Sequence, residues 1–196
     1  MMQMKNAFLL FVLAFLSIVA CNTDKKGVIT GTVLQSDEII ISEILPSELK
    51  ALDTVIVKDG KFSYNRQFLA PTFLLLELKT GVRFPIFVDA GQEINLVIND
   101  TNDYGTFAAT GSESIIKMAK QRDLFSQALL FRDSLDYLNF LYLDSANLMQ
   151  ERAKWNQDFV ARIDFHRNEL KAMIDEDSMD LSNIMVFYQS LGQLEL

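Results

Sequence analysis

The chain has 196 residues, of which 18 are Lys or Arg and 26 are Asp or Glu, giving a formal net charge of -8, and 49% of its residues are hydrophobic. That acidic balance works against nucleic acid as a partner, since few cations are left to release phosphate counterions, and against electrostatic docking on anionic lipid. Cys21 is the only cysteine, so there is no intrachain disulfide, no Cys-x-x-Cys and no multi-cysteine metal site.

The first element is an export segment. A short leader ending in Lys5 precedes an unbroken apolar run, residues 7–16, and small residues lead up to Cys21. This is the anatomy of a secretory signal peptide, and the run is shorter than the roughly 20 apolar residues a spanning helix needs. Ile18-Val19-Ala20-Cys21 resembles the lipobox of bacterial lipoproteins. The resemblance implies that Cys21 receives a diacylglycerol, that residues 1–20 are removed, and that the new amine is acylated. Several acyl chains hold where one is marginal. The expected product is anchored to the inner or outer membrane at the periplasmic face, with the polar residues 21–27 as its tether.

From residue 28 to 111 the pattern is that of strands. Residues 28–35 and 38–44 are rich in β-branched side chains. Residues 52–58 and 61–68 flank Asp59-Gly60, a strong hairpin signal because both turn residues must accept positive φ. Residues 72–78, 83–88 and 93–98 follow, punctuated by Thr80-Gly81 and Ala90-Gly91. Short strands with turns every ten residues or so predict an antiparallel β-sandwich or meander.

After Gly111 the period changes, and residues 112–196 read as helical, for an α+β chain overall. Ser112 is placed to cap a helix starting at Glu113, and no Gly or Pro occurs from there to Glu176. Ile115, Met118, Phe125 and Leu129 mark one apolar stripe. A break near residues 144–147 and one continuous long helix both fit the pattern. Trp155, Phe159, Ile163, His166, Leu170, Met173 and Ile174 fall on one arc of an amphipathic helix, which places Trp155 in the core. A last helix, 181–191, is expected to stop at Gly192.

The phrases of the β half, residues 52–64, 70–78, 84–96 and Ala109-Thr110-Gly111-Ser112 with Gly31 in the first strand, resemble the N-terminal domain of unknown function found in envelope lipoproteins of the TlpA/thioredoxin-like type. The resemblance covers roughly residues 28–192. It implies a β-sandwich and a helical segment that normally precede a Trp-Cys-x-x-Cys thiol-disulfide oxidoreductase domain. This chain departs from the family in having no Cys-x-x-Cys, and it stops at Leu196, where the family is still in its helical segment. The helical segment is therefore either cut short or a complete module. The expected role is a non-catalytic accessory module on a lipid anchor, and a longer product would be the oxidoreductase. The alternative is a stand-alone structural or binding lipoprotein.

No catalytic residue, metal site or cofactor is assigned. His166, the only histidine, lies on the apolar arc, where a hydrogen-bonded core or interface role fits better than chemistry. The stretch from Asp100 to Gly111 lacks a calcium loop's ligands at its fifth and twelfth positions, Tyr104 and Gly111, and reads as a polar turn. Asp175-Glu176-Asp177 reads as a solvated linker. Ser36, Ser42 and Ser47 have no nearby histidine and no Gly-x-Ser-x-Gly elbow. What remains is the aromatic run from residue 137 to 143. Tyr137, Phe140, Leu141 and Tyr142 cover more than one helix face. They are either buried within the chain or a partner surface for a C-terminal redox domain or a second copy.

Overall fold

The computed structural model describes residues 26–142 and 147–194; the signal segment, Cys21 and the tether up to residue 25 lie outside them. Eight strands precede three helices: β1 Lys26–Val33, β2 Glu38–Ile44, β3 Leu49–Ile56, β4 Lys61–Gln67, β5 Thr72–Leu78, β6 Arg83–Val88, β7 Glu93–Asn99, β8 Thr106–Thr110, then α1 Glu113–Leu141, α2 Leu148–Glu176 and α3 Ser182–Leu194. The strands form two four-stranded sheets, ordered β4-β1-β7-β8 and β3-β2-β5-β6. The architecture is thus the sandwich rather than the meander. It is not wholly antiparallel, because β1 and β7 run parallel.

Period-two alternation builds the core. Ile29, Phe62, Ile94, Leu96 and Ile98 point inward from one sheet, and Ile39, Ile41, Leu74, Leu76, Phe84 and Ile86 from the other, all buried. The Asp59-Gly60 turn forms as expected, with φ of 52° and 70°. Its flanks do not make a hairpin, however. Lys58 and Lys61 exchange both backbone hydrogen bonds, after which β3 pairs with β2 and β4 pairs with β1 in the opposite sheet. The turn is a corner between the two sheets, which lets both strands face one core. β8, only five residues long with two alanines at its centre, is not among the strands expected from sequence.

α1 closes the other side of the sandwich, packing on β8 and β6. Ser112 caps it, its Oγ accepting from the Ile115 amide at 3.4 Å. Ile115, Met118 and Ala119 join the core shared by both sheets, as do Leu170 of α2 and Val186 of α3. The strands and helices therefore share one hydrophobic core. α1 ends at Leu141 and α2 begins at Leu148, so the segment contains two helices rather than one. α3 runs through Gly192 to Leu194 instead of stopping there.

Gly31 shows how closely β1 is held between its two neighbours in one sheet. A Cβ there would sit well inside contact distance of the Leu96 carbonyl oxygen and at 2.8 Å from the Phe62 ring. Relief requires backbone movement in β7, since a carbonyl cannot rotate away as a side chain can. Gly31→Ala is expected to destabilise the fold by about 1–3 kcal/mol, read as a lower urea midpoint. An unchanged midpoint would show that the β1 and β7 backbones are not held this closely.

Candidate functional site

α1 fixes where the exposed features lie. Its start is at the end of the sandwich where β1 enters, because Gly111 abuts the Glu93 carbonyl and Glu93 pairs with Val28. By Arg122 the helix has reached the opposite end, where the guanidinium donates to the Gly105 carbonyl at 3.2 Å and to the Tyr104 carbonyl. From Arg122 to Leu141 a rise of 1.5 Å per residue carries α1 roughly 28 Å further. α2 returns beside it, held by Lys120 to Glu169 at 3.0 Å, by Arg162 over the Phe131 ring at 4.7 Å, and by Arg152 Nε donating to Asn139 Oδ1 at 2.6 Å. The hairpin outruns the β domain, and only its base is packed against sheet.

The aromatic run sits on that projecting part. Tyr137, Phe140, Leu141 and Tyr142 are exposed, Phe140 at 68%, and Met149 across the hairpin at 79%. Residue 143 lies outside the described residues. Trp155 is half-buried and touches Tyr142 edge-on at 5.7 Å, so its expected place in the core is not what is found. The arc is buried only at Ile163, His166, Leu170 and Met173, because no third layer reaches the outer half. A groove of about 270 Å3 opens between the helices there, with Leu135, Trp155 and Phe159 as its apolar lining and Arg132, Asp136 and Arg152 as its charges.

The other candidates have structural roles. The Asp100 carboxylate accepts from the Gln35 and Ser36 amides, each at 2.9 Å, and from Ser36 Oγ at 2.7 Å. It thereby holds the loop where the chain crosses from β1 in one sheet to β2 in the other. Asn102 accepts from the Tyr104 and Gly105 amides, so the stretch is a polar turn with its oxygens engaged. Among the described residues no three His, Cys, Asp or Glu are grouped to hold a metal ion. Asp175, Glu176 and Asp177 are exposed, with Asp175 paired to Lys171.

His166 is fully buried, but not in the hydrogen-bonded state expected. Neither ring nitrogen has a hydrogen-bond partner among the described residues. The acids close to it in sequence are engaged elsewhere, Asp164 with Arg167 and Glu169 with Lys120. Burial lowers its pKa, and the charge of Arg162 one turn earlier lowers it further.

Two polar groups that matter most were not anticipated. Arg122 lies 5.0 Å above the Phe84 ring and 5.5 Å from that of Phe125, and desolvation pushes its pKa down to about 10. Its signal was present: in the stripe Ile115, Met118, Phe125, Leu129 it takes the vacant core position. Lys117 pairs with Asp180 at 3.1 Å, nearly out of solvent, and Ser114 also donates to that carboxylate. The 63 residues separating that pair gave no sequence signal.

Residues 27–118 match a family described as a domain of unknown function (DUF4369). The match takes in all eight strands except Lys26 at the start of β1, together with the α1 residues Ile115 and Met118, so this domain includes the start of the helix that closes its core. No curated protein matches the chain.

The burial of His166 has a pH consequence. Its folded pKa lies below the unfolded value of about 6.5, so between the two values the unfolded chain binds more protons and stability rises with pH. This contribution is complete above pH 6.5 and is lost as pH falls toward the folded value. Urea unfolding at pH 7.5 and pH 5 is expected to show a larger loss for the native chain than for His166→Leu. Equal losses would mean that His166 is not held neutral.

Proposed function

We propose that the protein is an envelope lipoprotein held to a membrane by acyl chains on Cys21, and that its sandwich and helices are a non-catalytic accessory module of the kind that precedes a thioredoxin-like thiol-disulfide oxidoreductase domain. The observation that carries the anchor is the basic leader and apolar run ending in Ile18-Val19-Ala20-Cys21. β1 begins at Lys26, and five residues of extended tether reach roughly 17 Å at most, so on this reading the β1 end stands close to the lipid surface. Among the described residues no helix is long and apolar enough to cross a membrane.

The accessory role draws on the strand phrases of residues 52–64, 70–78 and 84–96, and on the match of residues 27–118 to a domain of unknown function. A lipidated Cys21 leaves no thiol for exchange among residues 1–196, so on this reading redox chemistry belongs to a following domain or a partner. A second reading, a stand-alone structural or binding lipoprotein, is favoured by the groove beside Trp155. Cross-linking in intact cells separates the two: recovery of a Cys-x-x-Cys protein supports the first, and recovery of a glycan or a protein without that motif supports the second.

Labelled palmitate is expected to enter the protein, and Cys21→Ala to abolish both the labelling and the retention in carbonate-washed membranes. A Cys21→Ala chain that stays in the membrane pellet would overturn the anchor. The purified protein is also expected to leave insulin disulfides intact, since it has no exchangeable thiol. Turnover above the blank would contradict the non-catalytic role.

A further inference from the structure

We infer that the projecting end of the α1–α2 hairpin is a self-complementary interface through which two copies of this chain stand side by side, each inserting Phe140 toward the other's groove. The groove carries a charge of each sign on opposite helices, neither of them in an ion pair among the described residues. Arg152 donates to the neutral Asn139 and is in no ion pair, and Asp136 has neither a hydrogen bond nor an ion pair, among the described residues. A partner of one sign would answer only one of them. A second copy related by a two-fold axis answers both, twice over, because an isologous contact pairs residue i with j and j with i.

The heights agree with that pairing. The Arg152 to Asn139 bond puts residue 152 level with 139, so Asp136 of a neighbour lies about 4.5 Å along the helix axis from Arg152. An extended arginine spans that offset. Exposed Tyr137, Phe140 and Met149 supply the apolar area, and aromatic and arginine side chains are the types that dominate interface energetics.

The fold also leaves this end free to pair. α1 runs from the β1 end of the sandwich past Arg122 and outward, so among the described residues the hairpin end lies well away from Lys26. On the lipoprotein reading, copies anchored in one membrane present their hairpin ends at one height, with the two-fold axis along the hairpin. That orientation is the one the height match already requires, so the pairing does not rest on the anchor.

The test is sedimentation of the full chain in mild detergent and of its Cys21→Ala form without detergent. A dimer is expected in both. Asp136→Arg and Arg152→Asp should each weaken it by about tenfold or more, and the double charge swap should recover most of the loss. Phe140→Glu should give monomer. Thermal melting of each variant, unchanged from the native chain, separates lost pairing from lost folding. A monomer in both preparations, or a dimer indifferent to these changes, overturns the inference. Because the Cys21→Ala form dimerises whether or not the anchor is real, failure of the anchor and failure of the pairing read differently.

Discussion

The Arg122 guanidinium, lying on the face of Phe84 and reaching the carbonyls of Tyr104 and Gly105, holds the helical half to the β half. Two stacked sheets have two open sides. On one, the Asp59-Gly60 corner joins β3 to β4 covalently. On the other, β6 and β8 face each other through Phe84 and Phe107, with ring centroids 5.4 Å apart, and α1 packs over both strands. A charge placed there is tolerated because its donors meet carbonyls and its plane meets a ring. With a pKa of about 10 it stays charged at neutral pH, so the contact keeps its electrostatic part.

That clamp also sets direction. Ser112 starts α1 at one end of the sandwich and Arg122 pins it at the other, so its remaining turns have nowhere to go but beyond the sheet. Tyr104 extends the hold by one further step, its hydroxyl donating to Asp133, after which contact with the β half ends. At the base the opposite situation holds: α3 packs on both α1 and α2, and the Lys117 to Asp180 pair locks its entry. The helical half is thus three helices thick near β1 and two helices thick at its far end.

Features decided within a few residues were legible in the sequence. β-Branched composition and the turn signals Thr80-Gly81 and Ala90-Gly91 located strands, Ser112 located a helix start, and Asp59-Gly60 located a turn. The turn's consequence was not legible, because turn chemistry fixes the local backbone while the sheet each flank joins depends on β2 for β3 and on the more distant β1 for β4. His166 was correctly placed on a buried arc, but that neither ring nitrogen finds a partner among the described residues depends on how the helices pack, with Glu169 paired to Lys120 of another helix. The aromatic run was legible as an excess of apolar surface, with its exposure left open between two outcomes that packing alone decides.

The stripe from Trp155 to Met173 shows why that decision could not be made from periodicity. Its spacing is uniform, yet Ile163, His166, Leu170 and Met173 are buried while Trp155 and Phe159 are only half covered. A period of 3.6 states which side of a helix is apolar, not how many neighbours will lie against that side. A helix in a two-helix ribbon buries a narrow seam, and a residue as large as Trp needs a third layer to be enclosed. Where α3 and the sheet supply that layer the stripe becomes core. Beyond them the same stripe becomes the wall of a groove, and the chemistry gathered there, Trp155 and Phe159 among charges of both signs, follows from where the fold stops being three layers thick.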